Sequence, residues 1–157
     1  MESSIKELEK NYEPFFTKYK LPSFRDLNEA FEIEKIDKES QTFLRVIRKI
    51  IMEKVANSFG FVDMLLNPAN APRMYYSYIK SMSDNDKKIL EKIYNLFSDL
   101  IVKSLFLEVN YSEREEASLI KESFEVWGSM KNDFGEVLQN IISPKNNIIS
   151  KGKSYFG

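Results

Sequence analysis

The sequence predicts an all-α fold: a single-domain bundle of five or six helices around a central apolar helix at residues 84–109. Three observations carry that prediction. Most of the 157 residues fall in stretches where apolar side chains recur every three or four positions. Within Asp84–Val109, thirteen apolar residues run from Ile89 to Val109, and Lys88, Glu91, Lys92, Asn95, Asp99 and Lys103 form only a narrow polar strip. A helix so apolar is expected to be covered on several sides. Strand signals are few. Phe31–Asp37, FEIEKID, alternates apolar and charged residues, and 105–111 can be read the same way, but no convincing pair results.

Ser3 or Ser4 is expected to cap a first helix carrying Ile5, Leu8, Tyr12, Phe15, Phe16 and Tyr19. Pro14 lies inside it, lacks an N–H and disfavours helix at Glu13, so a kink or restart is expected there. After the break at Lys20-Leu21-Pro22, Ser23 and Asp26 resemble a capping box for a short helix bearing Phe24, Leu27, Ala30 and Phe31. Ser40–Leu66 reads as a second long helix with a continuous face from Phe43 to Leu66. Gly60 inside it is expected to mark a kink or a close helix crossing. Asn67–Pro72, NPANAP, is the clearest loop, and Pro72 fits the first turn of a helix running to about Met82. Ser83-Asp84 then caps the central helix.

Asn110-Tyr111-Ser112 separates the central helix from the last, at 113–142. Ser112 and Glu115 form a capping box, with Glu113 and Glu116 adding favourable charge near the helix start. Ala117, Ile120, Phe124, Trp127, Met130, Phe134, Val137 and Ile141 step by three or four, close to a coiled-coil period. Gly128 and Gly135, one heptad apart, imply either a closely approaching helix or a break near Asn132-Asp133. Residues 1–142 thus make one domain, and 143–157 a loosely held C-terminal tail.

Composition closes most chemical routes. There is no cysteine and no histidine. Disulfides, thiolate catalysis, Cys-type zinc sites and a Ser–His–Asp triad are therefore excluded. An enzyme would need a site of carboxylates, Lys or Tyr, and no such motif can be located. Glu113, Glu115, Glu116, Glu122 and Glu125 match no EF-hand spacing and read as capping and solvation of a helix start. No catalytic, cofactor-binding or metal-binding residue is assigned. The first ten residues have no apolar core, and no apolar run approaches the ~20 residues that span a bilayer. The expected location is the cytoplasm, with no membrane partner.

Charge is unevenly placed. Residues 40–82 hold six basic and two acidic groups, whereas 83–142 hold seven basic and twelve acidic. Arg45, Arg48 and Lys49 share a helical face, and Arg73 follows the NPANAP loop beside Tyr75, Tyr76 and Tyr78. These are the candidate contacts for nucleic acid or phosphate, since guanidinium groups grip phosphates and tyrosines stack on bases. The blander reading, a solvated or internally paired face, is favoured by a net charge of −1. The heptad-like seam Phe124, Trp127, Met130 and Phe134 is the candidate surface for a protein partner or a homo-oligomer, although Trp127 also suits a core.

The segment MLLNPANAP, with the helix start Asp84–Lys92, resembles small all-helical archaeal proteins of unassigned role. The resemblance covers about the middle half of the chain. It implies an all-helical intracellular protein and carries over no functional residue. The sequence is thus read as a non-enzymatic helical scaffold or adaptor acting through protein–protein contact. A nucleic-acid-associated protein is the alternative, and an enzyme ranks third.

Overall fold

A computed structural model describes residues 2–36 and 42–143. The start of the predicted helix at residues 40 and 41, and the predicted tail from residue 144 onward, lie outside the described residues. The helices are α1 (Glu2–Tyr19), α2 (Phe24–Phe31), α3 (Phe43–Leu66), α4 (Tyr76–Ser81), α5 (Asp84–Val109) and α6 (Glu113–Ile142). Among the described residues there is no strand, and the all-α bundle is the fold. The alternating segment after Phe31 is a 3₁₀ turn, Ile33–Lys35, which buries Ile33 and Ile36 while Glu34 and Lys35 face water.

Side chains define the helix starts. Ser83 accepts from the Asp86 N–H at 3.1 Å, and the Asp86 carboxylate accepts from the Ser83 N–H at 2.9 Å. That reciprocal pair satisfies two donors that the first turn of α5 would leave open. Ser23 and Ser112 accept from the third residue of α2 and α6, but without the reciprocal carboxylate bond, so they are simple N-caps where capping boxes were expected. Glu32 closes α2 in the left-handed conformation, φ 56°, with its N–H donating to the Asn28 carbonyl at 2.8 Å.

α3, α5 and α6 pack against one another and enclose the core. Ile47, Ile51, Val55 and Val62 of α3 meet Leu90, Ile93, Phe97 and Leu100 of α5 and Ile120 and Val137 of α6, all fully or nearly fully buried. Arg48 touches Ser104 and Phe59 meets Tyr94 in a tilted ring pair, so α3 and α5 run antiparallel. Lys103 reaches Glu122, and Asn140 reaches Asp86, so α5 and α6 do too. α1 and α2 cover the bundle with Leu8, Tyr12, Leu27 and Phe31. The Tyr12 hydroxyl donates to the Pro22 carbonyl at 2.6 Å, and burial pushes its pKa up.

Several local expectations are corrected. α1 begins before Ser3 and Ser4 and runs through Pro14 without restarting. Pro14 and Lys10, whose carbonyl loses its donor, are both exposed, so water can serve that carbonyl. Leu8 and Tyr12 hold the buried face on the opposite side. The predicted helix from Pro72 to Met82 is a 3₁₀ turn, Arg73–Tyr75, followed by the six-residue α4. α6 is unbroken across Asn132-Asp133.

The glycines are neither crossings nor breaks. A Cβ placed on Gly60, Gly128 or Gly135 would meet nothing within 4 Å, and none of the three has positive φ. Each therefore costs helix stability without serving packing. Replacing all three with Ala is expected to raise stability by about 1–3 kcal/mol in total, read by chemical denaturation. A loss of stability would show that one of these positions is in fact confined.

Candidate interaction surface

Of the basic face predicted on α3, Arg48 is turned inward, whereas Arg45 is partly exposed and Lys49 is exposed. Arg48 is 1% exposed, and its Nε donates to Glu116 Oε2 of α6 at 2.5 Å. Its terminal nitrogens donate to Ser104 Oγ at 2.6 Å and Glu108 Oε1 at 2.7 Å, both on α5. One guanidinium thus ties three helices together at the end where α5 reverses into α6. Glu116 is wholly buried, so the pair has no solvent to share its charge with. Arg45 donates to Glu108 Oε2 at 2.7 Å, and Lys49 Nζ lies 3.7 Å from the same oxygen. Donation from Arg48, then from Arg45, holds the Glu108 carboxyl down at about 2. Two of the four candidate phosphate contacts, Arg45 and Arg48, are therefore hydrogen-bonded to carboxylates of this chain, while Lys49 stays exposed beside Glu108. Arg73 stands apart on the exposed turn with Met74, Tyr76 and Tyr78.

The predicted seam on α6 is also used within the chain. Met130 and Phe134 are buried, and Phe124 and Trp127 are partly buried against the core. Trp127 stacks on Phe97 with ring centres 6.2 Å apart and planes at 10°. It also meets Phe31, and Lys54 Nζ lies 4.9 Å from its ring centre while donating to the Ala30 carbonyl. Of the seam, only Phe124 and Trp127 reach the surface, in part, in a groove shared with Lys54 and Lys131.

The carboxylates at the start of α6 diverge. Glu113 accepts from Lys18 and Tyr19 of α1, Glu116 from Arg48, and Glu122 from Lys103. The Tyr19 and Lys18 donors lower the Glu113 pKa. Such an arrangement staples helices together and leaves no convergent oxygen cage for a hard cation.

An uncovered apolar face lies instead on the central helix. Val102, Leu105, Phe106 and Val109 are 62–82% exposed, although α5 is the helix expected to be covered on several sides. They follow the i, i+3, i+4, i+7 rule and so form one ridge. Beside it, between α5 and α6, runs a groove of about 510 Å³ lined by Val102, Phe106, Leu107 and Leu119, with Glu115 and Glu122 among its polar groups. Tyr111, 48% exposed, continues the apolar surface past the helix end.

The helix changes character along this face. At 88, 91, 95, 98, 102, 105 and 109, steps of three and four keep to one side of α5. The first four are Lys, Glu, Asn and Ser, and the last three are Val, Leu and Val. The Arg48 cluster grips the opposite side of the same turns through Ser104 and Glu108. The ridge is consequently held rigid.

The chain matches no protein-family model, and no curated protein or solved structure was found similar to it. Among the described residues, no helix is long and apolar enough to cross a membrane.

Proposed function

We propose that the protein is a non-enzymatic helical scaffold or adaptor whose contact surface is the α5 ridge of Val102, Leu105, Phe106 and Val109. The observation that supports this is the ridge itself. Four large apolar side chains on two helical turns are 62–82% exposed, with an apolar groove alongside. Scattered exposed apolar residues are ordinary, but the largest contiguous apolar patch of a protein is often its functional surface. Preorganisation adds to the case, because a ridge already held by buried ion pairs has little conformational freedom left to lose on binding. A cytoplasmic location, expected from composition, belongs to the same proposal.

The nucleic-acid alternative has less to draw on. Arg45 and Arg48 already donate to Glu108 and Glu116, so a phosphate would have to displace those bonds, and the exposed Lys49 adds only a single charge beside Glu108.

Phe106→Glu tests the reading. It places a charge at the middle of the ridge, where solvent already bathes the side chain, so the fold should be retained within about 0.5 kcal/mol. Proteins cross-linked to the wild-type chain in extracts of its source cells should be lost with Phe106→Glu. They should be kept with Lys88→Glu, on the polar half of the same face. An identical set of captured proteins from both variants would remove the ridge as the contact surface.

A further inference from the structure

Resting on that reading, we infer that the α5 ridge is an interface with a second copy of this chain, two α5 helices packing antiparallel about a two-fold axis between Leu105 and Phe106. The pairing follows from the order of residues on the ridge. A two-fold centred there sets Val102 against Val109 of the second copy and Leu105 against Phe106, with smaller residues at the ends and larger ones in the middle. Every ridge position then meets an apolar partner. A C2 contact needs this self-complementarity, because one patch must serve both sides.

The parallel alternative fails on charge. Lys88, Glu91 and Asn95 lie on the same strip as the ridge, and a parallel two-fold would set Lys88 against Lys88 and Glu91 against Glu91. The antiparallel arrangement carries each polar half past the end of its neighbour's helix, since α5 stops at Val109. An interface of about 800 Å² per partner needs more than four side chains, and the surface continues beyond the ridge through Tyr111, 48% exposed, and the exposed Glu115 and Ser118 across the groove. A formal net charge of −1 opposes the meeting of two copies very little.

The absence of cysteine makes the geometry directly testable. The full chain, by light scattering across a dilution series, is expected to show a dimer. Phe106→Glu should weaken it at least about 30-fold, the effect of losing one central anchor, with an unchanged circular dichroism spectrum. Under mild oxidation, Leu105→Cys near the axis should form a disulfide-linked dimer. Glu91→Cys, on the same strip but ~40 Å from its copy in this arrangement, should not.

Ready cross-linking of Glu91→Cys would overturn the antiparallel axis. A wild-type chain that stays monomeric at every concentration would overturn the second copy as occupant. In that case, continued Phe106-dependent capture of other proteins would keep the ridge as a contact surface, and loss of capture as well would sink both ideas.

Discussion

Arg48→Met is expected to cost about 3–5 kcal/mol of stability, although a Met fits the stem of the side chain it replaces. The reason is what remains. Glu116, fully buried, loses the 2.5 Å donor that balances it and is left without a partner, and Ser104 Oγ loses its partner too. For a domain whose whole stability is about 5–15 kcal/mol, this is a large share. The double variant Arg48→Met/Glu116→Leu removes both charges and should recover about half of the loss or more, because an apolar pair of matching size needs no compensation. Urea denaturation of both single variants and the double decides the matter. Strictly additive losses would show that the pair is not coupled. Acid adds a second signature. Folding lowers the Glu108 pKa to about 2 from the ordinary 4.5, so its stabilisation is complete above that ordinary value. It drains away as pH falls through the window from 4.5 toward 2. The side chain is 36% exposed, and solvent screening shrinks the magnitude. In Arg48→Met, that acid limb of the stability curve should flatten.

Local signals announced most of the fold. Ser83, Ser112 and the three- and four-residue spacing of Leu90, Ile93, Phe97 and Leu100 made the long helices readable, because caps and periodicity act within a few residues. Pro14 and the glycines misled for the complementary reason. A proline penalty applies to a carbonyl without water, and a glycine means a crossing only if something approaches it. Neither condition is local. The ridge was legible in principle. The strip through Lys88, Glu91 and Asn95, extended in the same register, arrives at Val102, Leu105 and Val109. Counting apolar residues on α5 suggested cover on several sides, whereas following that single face shows where polar character stops. The basic face is a different case. Arg45, Arg48 and Lys49 share a face in any helix, but Glu108 and Glu116 are 59 or more residues away in sequence. Only the antiparallel return of α5 and the start of α6 bring them within reach.

Phe97→Ala tests how the only tryptophan of the chain is held. Phe97 is fully buried, and its ring lies nearly parallel to Trp127. Truncation removes the transfer energy of the ring and leaves a cavity that α3, α5 and α6, pinned by the Arg48 cluster, are poorly placed to close. The expected loss is about 3–5 kcal/mol, which lowers Tm by roughly 10 °C in a domain of this size. Trp127 should report the change directly. Its other neighbours, Phe31 and the Lys54 ammonium, sit at centroid distances of 5.9 and 4.9 Å and remain in place. The ring therefore loses one face while keeping its surroundings on the other, so its near-ultraviolet dichroism should weaken and its emission shift to the red. Phe97→Leu, which refills most of the volume without a π-face, should restore more than half of the stability and little of the dichroism. Two effects that moved together in both variants would mean that burial alone, and not the stacked pair, orders Trp127 at the junction of α2, α3, α5 and α6.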